Sequence, residues 1–404
     1  VIAAIALVAL QTASAPQAAS STKTASAAQA AGSAPTQPAT GKLPGAAVVR
    51  ASLERGLAFL VASQERDGTW GSARNGTFTD FWENPETHRS WAIGTTGLAC
   101  MALLEFGSSE SAQRALQKSI DALIAGSSLK RPNEWDLDHV WGHLYGSQAL
   151  AHCLVDKRFS DDPRRGAMRA AVEKYVAEML RLQSPNGGWG YYAMEDAAWN
   201  PEWSTSFTTA AIVLALLDVR AAGIAVDEKV IERAERAIER CRLPNGAYSY
   251  SVEAIPSPGR MEGIDQVKGS LGRIQVCNLA LVRTRATFEH TMASVGERDL
   301  RRGLDQFFED HRFLDFARRK PIPHEGFYKN AGYFYFFGHW YAAGVIEELP
   351  VEERAPYAAK LAREIMKTQE QDGSMQDYLM HDYVRQYSTA FGVLALGHCL
   401  AALK

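Results

Sequence analysis

Apolar residues recur along most of the chain at three- and four-residue spacings, the signature of helices that bury one face. Leu53, Leu57, Leu60 and Val61 make one such face, and Asp67-Gly68 is a turn through which that helix cannot run. About six units of roughly 45 to 65 residues follow one plan, an amphipathic helix, a turn, then a more apolar helix rich in Ala, Gly and Leu. The spacing predicts pairs over 52–63 with 90–106, 111–125 with 139–154, 164–182 with 204–222, 228–242 with 273–284, 298–313 with 333–348, and 353–367 with 386–403. Strand signals are scarce. Alternation of polar-faced and wholly apolar helices implies an outer ring around an inner one, with small residues letting the inner helices approach closely. The expected fold is all-α, a closed toroid of about six hairpins; an open solenoid of the same hairpins is the alternative.

The turns carry a repeated punctuation. Gln64 precedes Asp67-Gly68-Thr69-Trp70-Gly71, and Gln183 precedes Asn186-Gly187-Gly188-Trp189-Gly190. Gln369 precedes Asp372-Gly373-Ser374 without a tryptophan, and Asn245-Gly246-Ala247-Tyr248 is a weaker copy with tyrosine. The glutamine suits orphan carbonyls or the turn backbone, and the ring suits an apolar clasp whose N–H makes one hydrogen bond.

Composition narrows the function classes. With 404 residues, 46% hydrophobic, and a net charge of -3, the chain can bury a large core and has no bias toward polyanions, so nucleic acid is not an expected partner. Residues 1–15 read as the remainder of a secretory signal, an apolar run followed by Ala13-Ser14-Ala15, too short to span a bilayer. Residues 16–46 are Ala, Ser, Thr, Gln and Pro with almost no large apolar side chain and read as a flexible tether, which leaves one folded unit over 47–404. The expected location is outside the cytoplasm, periplasmic or extracellular, with no integral membrane span. Five scattered cysteines, Cys100, Cys153, Cys241, Cys277 and Cys399, make no disulfide framework, and four of them fall in apolar helical segments as small core residues.

The stretches Arg55-Gly56, Phe59-Leu60, Gln64 and Asp67-Gly68-Thr69-Trp70, with Gln183 to Trp189, resemble the glutamine-tryptophan repeats of the terpenoid cyclase and protein prenyltransferase superfamily, including squalene-hopene cyclase. That resemblance implies an (α/α)6 toroid, in agreement with the count of helix pairs, and is specific for fold rather than reaction. It also draws attention to Glu134-Trp135-Asp136-Leu137-Asp138-His139, since squalene-hopene cyclases carry Asp-x-Asp-Asp at the corresponding point of one repeat, where an aspartic acid protonates an alkene. Asp136 and Asp138 match the first two acids and His139 replaces the last. On this resemblance Asp138 is the candidate proton donor, with Asp136 and His139 supporting it.

The residues themselves leave alternatives open. Either aspartate also suits a helix cap. Asp136, His139 and His143 share a helix face at i, i+3 and i+7 and could hold zinc, although two histidines without a supporting cluster are more often structural, and no metal site is expected. Asp-x-Cys, Cys-Gly-Glu-Gln, His-Glu-x-x-His, Gly-x-Ser-x-Gly and phosphate-binding glycine loops are absent from the sequence, so no cofactor is expected. Tyr333, Tyr335, Phe337 and Trp340 crowd the start of the fifth inner helix, where several rings should face a cavity. His88, Trp141, His143 and Tyr387 join them as candidate ligand-binding residues at the mouth, where Arg273 and Gln275 also converge. Aromatic walls suit a polyprenyl chain or carbocation, and equally suit sugar rings. The leading expectation is binding or transformation of an extended apolar or amphipathic ligand. The alternatives are a scaffold with a protein partner and a polysaccharide-active toroid enzyme.

Overall fold

The computed structural model describes residues 42–72, 85–129, 139–191, 203–252, 263–288, 294–320, 322–379 and 383–404. Thirteen α-helices occur among them: α1 (Ala46–Ala62), α2 (Pro85–Phe106), α3 (Glu110–Gly126), α4 (His139–Val155), α5 (Arg165–Arg181), α6 (Ser206–Ala221), α7 (Glu228–Cys241), α8 (Leu271–Thr287), α9 (Glu297–Glu309), α10 (Arg312–Ala317), α11 (Phe334–Glu347), α12 (Val351–Met366) and α13 (Tyr383–Ala402). The described residues contain no strand beyond isolated bridges that stitch the turns, such as Trp189 to Thr205. The chain is an (α/α)6 toroid. Inner helices α2, α4, α6, α8, α11 and α13 each pack against the next, and α13 packs on both α1 and α2 to close the ring.

Each pair forms because its two sequences have different burial to satisfy. In outer helix α7 the buried residues Val230, Ile231, Ala234, Ala237 and Ile238 keep to one stripe, whereas inner helix α6 buries nearly its whole length from Ser206 to Leu216. Small residues bring the inner helices together: a methyl group at Gly97 of α2 would lie 2.3 Å from the Tyr145 carbonyl of α4. All five cysteines are free and buried.

The repeated turns are lateral staples more than helix ends. Trp70 and Trp189 are fully buried, and their indole N–H groups donate to Leu60 O and Met179 O at 2.7 and 2.6 Å. Each glutamine amide donates twice, to its own turn and to the next outer helix. Gln64 reaches Gly68 O and Ala115 O at 3.1 and 2.9 Å, Gln183 reaches Gly187 O and Val230 O at 2.8 and 3.1 Å, and Gln369 reaches Gly373 O and Ser52 O at 3.0 and 2.9 Å. The last bond joins the sixth unit to the first. Gly68, Gly187, Gly246 and Gly373 have φ between 87° and 93°, and a Cβ at Gly68 would lie 2.5 Å from the Lys118 carbonyl, so glycine is required on both counts. An inner-helix threonine completes the staple: Thr96, Thr209 and Thr389 accept from the backbone N–H of Trp70, Trp189 and Met375. Met375 thus stands where the sixth unit lacks a tryptophan.

The predicted helices match those observed to within a few residues at most ends, with one structural exception. The helix expected over 298–313 stops at Glu309, and the chain restarts as the short α10; the fifth unit, like the second and fourth, has no glutamine staple. No helix among the described residues is long and apolar enough to cross a membrane.

Candidate functional site

Outer-helix C-termini lead into inner-helix N-termini at one end of the ring, the mouth. A belt of rings follows this rim. His88 and Trp91 of α2 lie 5.9 Å from Tyr383 of α13 (His88 stacked on it, Trp91 edge-on). Tyr378 meets Tyr333 at 5.9 Å, and the Tyr333 hydroxyl pairs with His324 Nε2 at 2.7 Å. His324 meets Tyr250 at 5.8 Å, whose hydroxyl shares a 2.7 Å hydrogen bond with Tyr191, and Tyr191 in turn packs on Trp203 and Phe207. Trp141 of α4 stacks on Phe207 at 6.2 Å and extends the belt. Many of these rings, Trp91, Trp141, Tyr191, Trp203, Tyr333 and Tyr387 among them, are half-buried.

One carboxyl group stands out at this end. Asp377 is fully buried; its Oδ1 accepts from Ser388 Oγ at 2.8 Å and Tyr387 Oη at 3.1 Å, and its Oδ2 accepts from the Phe336 backbone N–H at 3.4 Å. Burial raises its pKa, against the opposing pull of Ser388 and Tyr387, to about 7. It follows the Met375 turn by two residues, and no feature of its local sequence marks it. Nearby, the Arg273 guanidinium is buried under Tyr250 and Phe334 at 5.2 and 5.9 Å and donates to Tyr248 O at 3.4 Å; burial lowers its pKa.

Below the mouth the axis is filled. Tyr145 of α4 lies 6.2 Å from Trp340 of the opposing helix α11 and 5.8 Å from Phe391 of α13. Phe207 of α6 meets Phe337 of α11 at 6.0 Å, and Phe337 meets Phe391 at 6.3 Å. Rings from four inner helices therefore touch across the centre, each pair holding about 0.5–1.5 kcal/mol beyond simple burial.

The far end, where the inner helices terminate, is charged. His152 of α4 lies between Asp218 of α6 (Nε2 to Oδ2, 3.0 Å) and Glu105 of α2 (3.8 Å). His398 of α13 lies between Glu105 (3.6 Å) and Glu347 of α11, with which it makes a short bond, and Arg283 of α8 reaches Glu347 at 3.7 Å and Glu348 at 2.8 Å. Each of the six inner helices contributes to this circuit. Burial works against charge on His152 and His398, but Asp218 beside the first and Glu347 beside the second outweigh it, and both pKa values are raised. A cavity of about 340 Å³ opens there, lined by Glu105, His152, Asp156 and Asp218 among others.

Of the predicted site residues, Asp136 and Asp138 lie outside the described residues. The structure brings Trp141, Phe337, Trp340, Tyr387, Tyr333 and His88 to the mouth or the axis. Three others turn toward the outer ring. His139 and His143 are one helical turn apart, 5.8 Å between rings, and His143 meets Tyr175 of outer helix α5 at 5.9 Å. Burial, with a smaller contribution from Arg181, holds His143 neutral with a pKa of about 4. Tyr335 is fully buried, stacks on His339 at 4.4 Å, and donates to Glu364 O of α12 at 3.1 Å. The reason is angular: at 100° per residue, positions 335 and 339 share one face of α11 while 333, 337 and 340 share the other.

No family model matches the chain, and no curated protein matches it. Solved structures do resemble it. An inactive variant of the α-1,6-mannanase of Salegentibacter sp. HEL1_6, in complex with α-1,6-mannotetrose, has a TM-score of 0.53 at 13% identity, covering 88% of this chain and 99% of that one. The type II terpene cyclase MstE from Scytonema has a TM-score of 0.51 at 14% identity, covering 89% of this chain and 100% of that one. The unsaturated glucuronyl hydrolase from Streptococcus agalactiae has a TM-score of 0.53 at 13% identity, covering 88% and 93%. At these identities the likeness concerns the toroid alone.

Proposed function

We propose that the protein is a carbohydrate-active toroid that holds an extended saccharide across its mouth. The observation that carries this reading is the filled axis. A polyprenyl chain needs a deep enclosed apolar volume, and the contacts of Tyr145, Trp340, Phe391 and Phe337 occupy the place where that volume would lie. The rim above offers half-buried rings with polar tips, which stack on sugar faces and bond their hydroxyls. Two of the similar structures, the mannanase with its mannotetrose and the glucuronyl hydrolase, are carbohydrate enzymes, and the third is a terpene cyclase.

Glycosidic cleavage calls for two carboxyl groups, one donating a proton and one acting as base or nucleophile. In this proposal Asp138 is the proton donor and Asp136 its partner, while Asp377 positions Tyr387 at the rim. Calorimetric titration with manno-, gluco- and uronate oligosaccharides, run beside farnesyl and geranylgeranyl ligands, tests the reading. Saccharide binding weakened at least tenfold by Trp91→Ala, with turnover lost and binding kept in Asp138→Asn, is the expected result. Binding of the polyprenyl ligands without any saccharide would return the protein to the terpenoid-cyclase reading, and binding of neither would leave the scaffold.

A further inference from the structure

The fifth unit, one of three without a glutamine staple, holds a different cluster. His311, at the head of α10, points Nδ1 toward Asp315 Oδ2 at 3.2 Å and Glu364 Oε2 of α12 at 3.4 Å. These three atoms all lie within 4.8 Å of one another. Ligands about 2.0–2.2 Å from a tetrahedral zinc sit roughly 3.4 Å apart, which is the spacing from the imidazole nitrogen to each carboxylate oxygen here.

The other side of the imidazole is set as a metal ligand requires. His339 Nδ1 lies 2.6 Å from the Tyr335 carbonyl and must donate to it, so His339 Nε2 accepts. His311 Nε2, 3.0 Å away, is then the donor of that pair. This leaves Nδ1 of His311 as the atom presented to the two carboxylates, with the ring oriented by a hydrogen bond from its opposite nitrogen. A positive charge is already drawn to the same oxygens: Lys367 Nζ bonds Asp315 Oδ2 at 3.0 Å and also Glu364 Oε2. Lys367 and Asp315 are each about one-third exposed, at 36% and 34%, so solvent reaches the point of convergence and the ammonium can swing aside.

The geometry points to a zinc site formed by His311 Nδ1, Asp315 Oδ2 and Glu364 Oε2, with water as the fourth ligand. The ion ties α10 to α12 and does for the fifth unit what Gln64, Gln183 and Gln369 do for the first, third and sixth. It lies on the outer side of α11, away from the rim, and so has a structural role.

The test is calorimetric titration of metal-stripped full-length protein with Zn²⁺, paralleled by thermal melting. One zinc per chain is expected, with Tm rising by about 2–5 °C at saturation. Glu364→Gln, which keeps side-chain shape, should weaken binding at least tenfold while the apo melting curve holds its cooperativity. Lys367→Met, which removes the competing ammonium, should tighten it about tenfold. Absence of saturable binding in the wild type, binding unaffected by Glu364→Gln, or binding confined to Lys367→Met would each overturn the assignment, the last because the ammonium would then be the resident cation.

Discussion

The two ends of the inner ring are made by the same six helices and have opposite chemistry. At the mouth the side chains are phenols, indoles and imidazoles, and the carboxyl group of Asp377 has a pKa near neutrality. At the far end Glu105, His152, Asp218, Arg283, Glu347 and His398 neutralise one another in sequence around the ring. Helix C-termini favour cations, so acids placed there need histidine or arginine beside them. Long connections with hydrogen-bonding rings suit a surface that meets ligands. Short connections clamped by charge suit a base that holds the barrel round.

The sharpest way to break this comparison is to remove a staple from the mouth. Trp189→Ala should cost about 3–5 kcal/mol in denaturant unfolding, because it deletes a fully buried ring and the hydrogen bond its indole makes to Met179 O. A loss below about 1 kcal/mol would show that the staples do not frame the mouth.

Next in size is the pH response of the mouth. The folded pKa of Asp377, about 7, lies above the ordinary 3.8, so the folded state binds this proton more tightly and stability falls as pH rises between those values. Relative to Asp377→Asn, the wild type should lose about 2 kcal/mol between pH 5 and pH 6.5, measured by paired urea melts. The far end should respond differently. His152 and His398 have raised pKa values, and their contribution is complete below the unfolded histidine pKa and fades as pH climbs through the folded values. Asp218 and Glu347 are lowered against the pull of burial by His152 and His398, so their contribution fades as pH falls through the folded values. The clamp therefore has an optimum, whereas the mouth acid has a slope.

Glu105→Gln tests the clamp directly. It removes the carboxylate shared by both histidines and should cost about 1 kcal/mol near pH 6, the pairs being partly exposed, and almost nothing once the histidines are neutral. Smallest is Tyr387→Phe, which removes one of three hydrogen bonds to Asp377 and should cost about 0.5–1 kcal/mol while raising the pH at which Asp377 titrates.

Much of the fold is written in the sequence as period and punctuation. Amphipathic and wholly apolar segments alternate six times, and glycine and tryptophan mark where the outer helices stop, so pairs and edges can be read directly. The direction of a side chain on an inner helix cannot. Such a helix is buried all round, so Trp141, which faces the axis, and His143, which faces α5, sit in equally apolar surroundings along the chain. The same ambiguity concealed the outward turn of Tyr335. The charged end was in principle legible, since Glu105, Asp218 and Arg283 each interrupt an apolar helix near its close. Their mutual pairing is not, because it joins residues from Glu105 to His398. Asp377 has no local signal at all; its chemistry comes from burial between α11 and α13.

Gln369 bonds Ser52 in the same way that Gln64 bonds Ala115, so the joint between the final unit and the first is built like the joint between the first and the second. Inner helices finish, and outer helices start, on the charged side, which places Ala402 and Ala46 on the same face. A short tether between them would copy the three-residue links that follow Phe106 and Glu347, and new termini could then be cut elsewhere on that face. Geometrically the polypeptide is a bracelet whose clasp could be moved to another link.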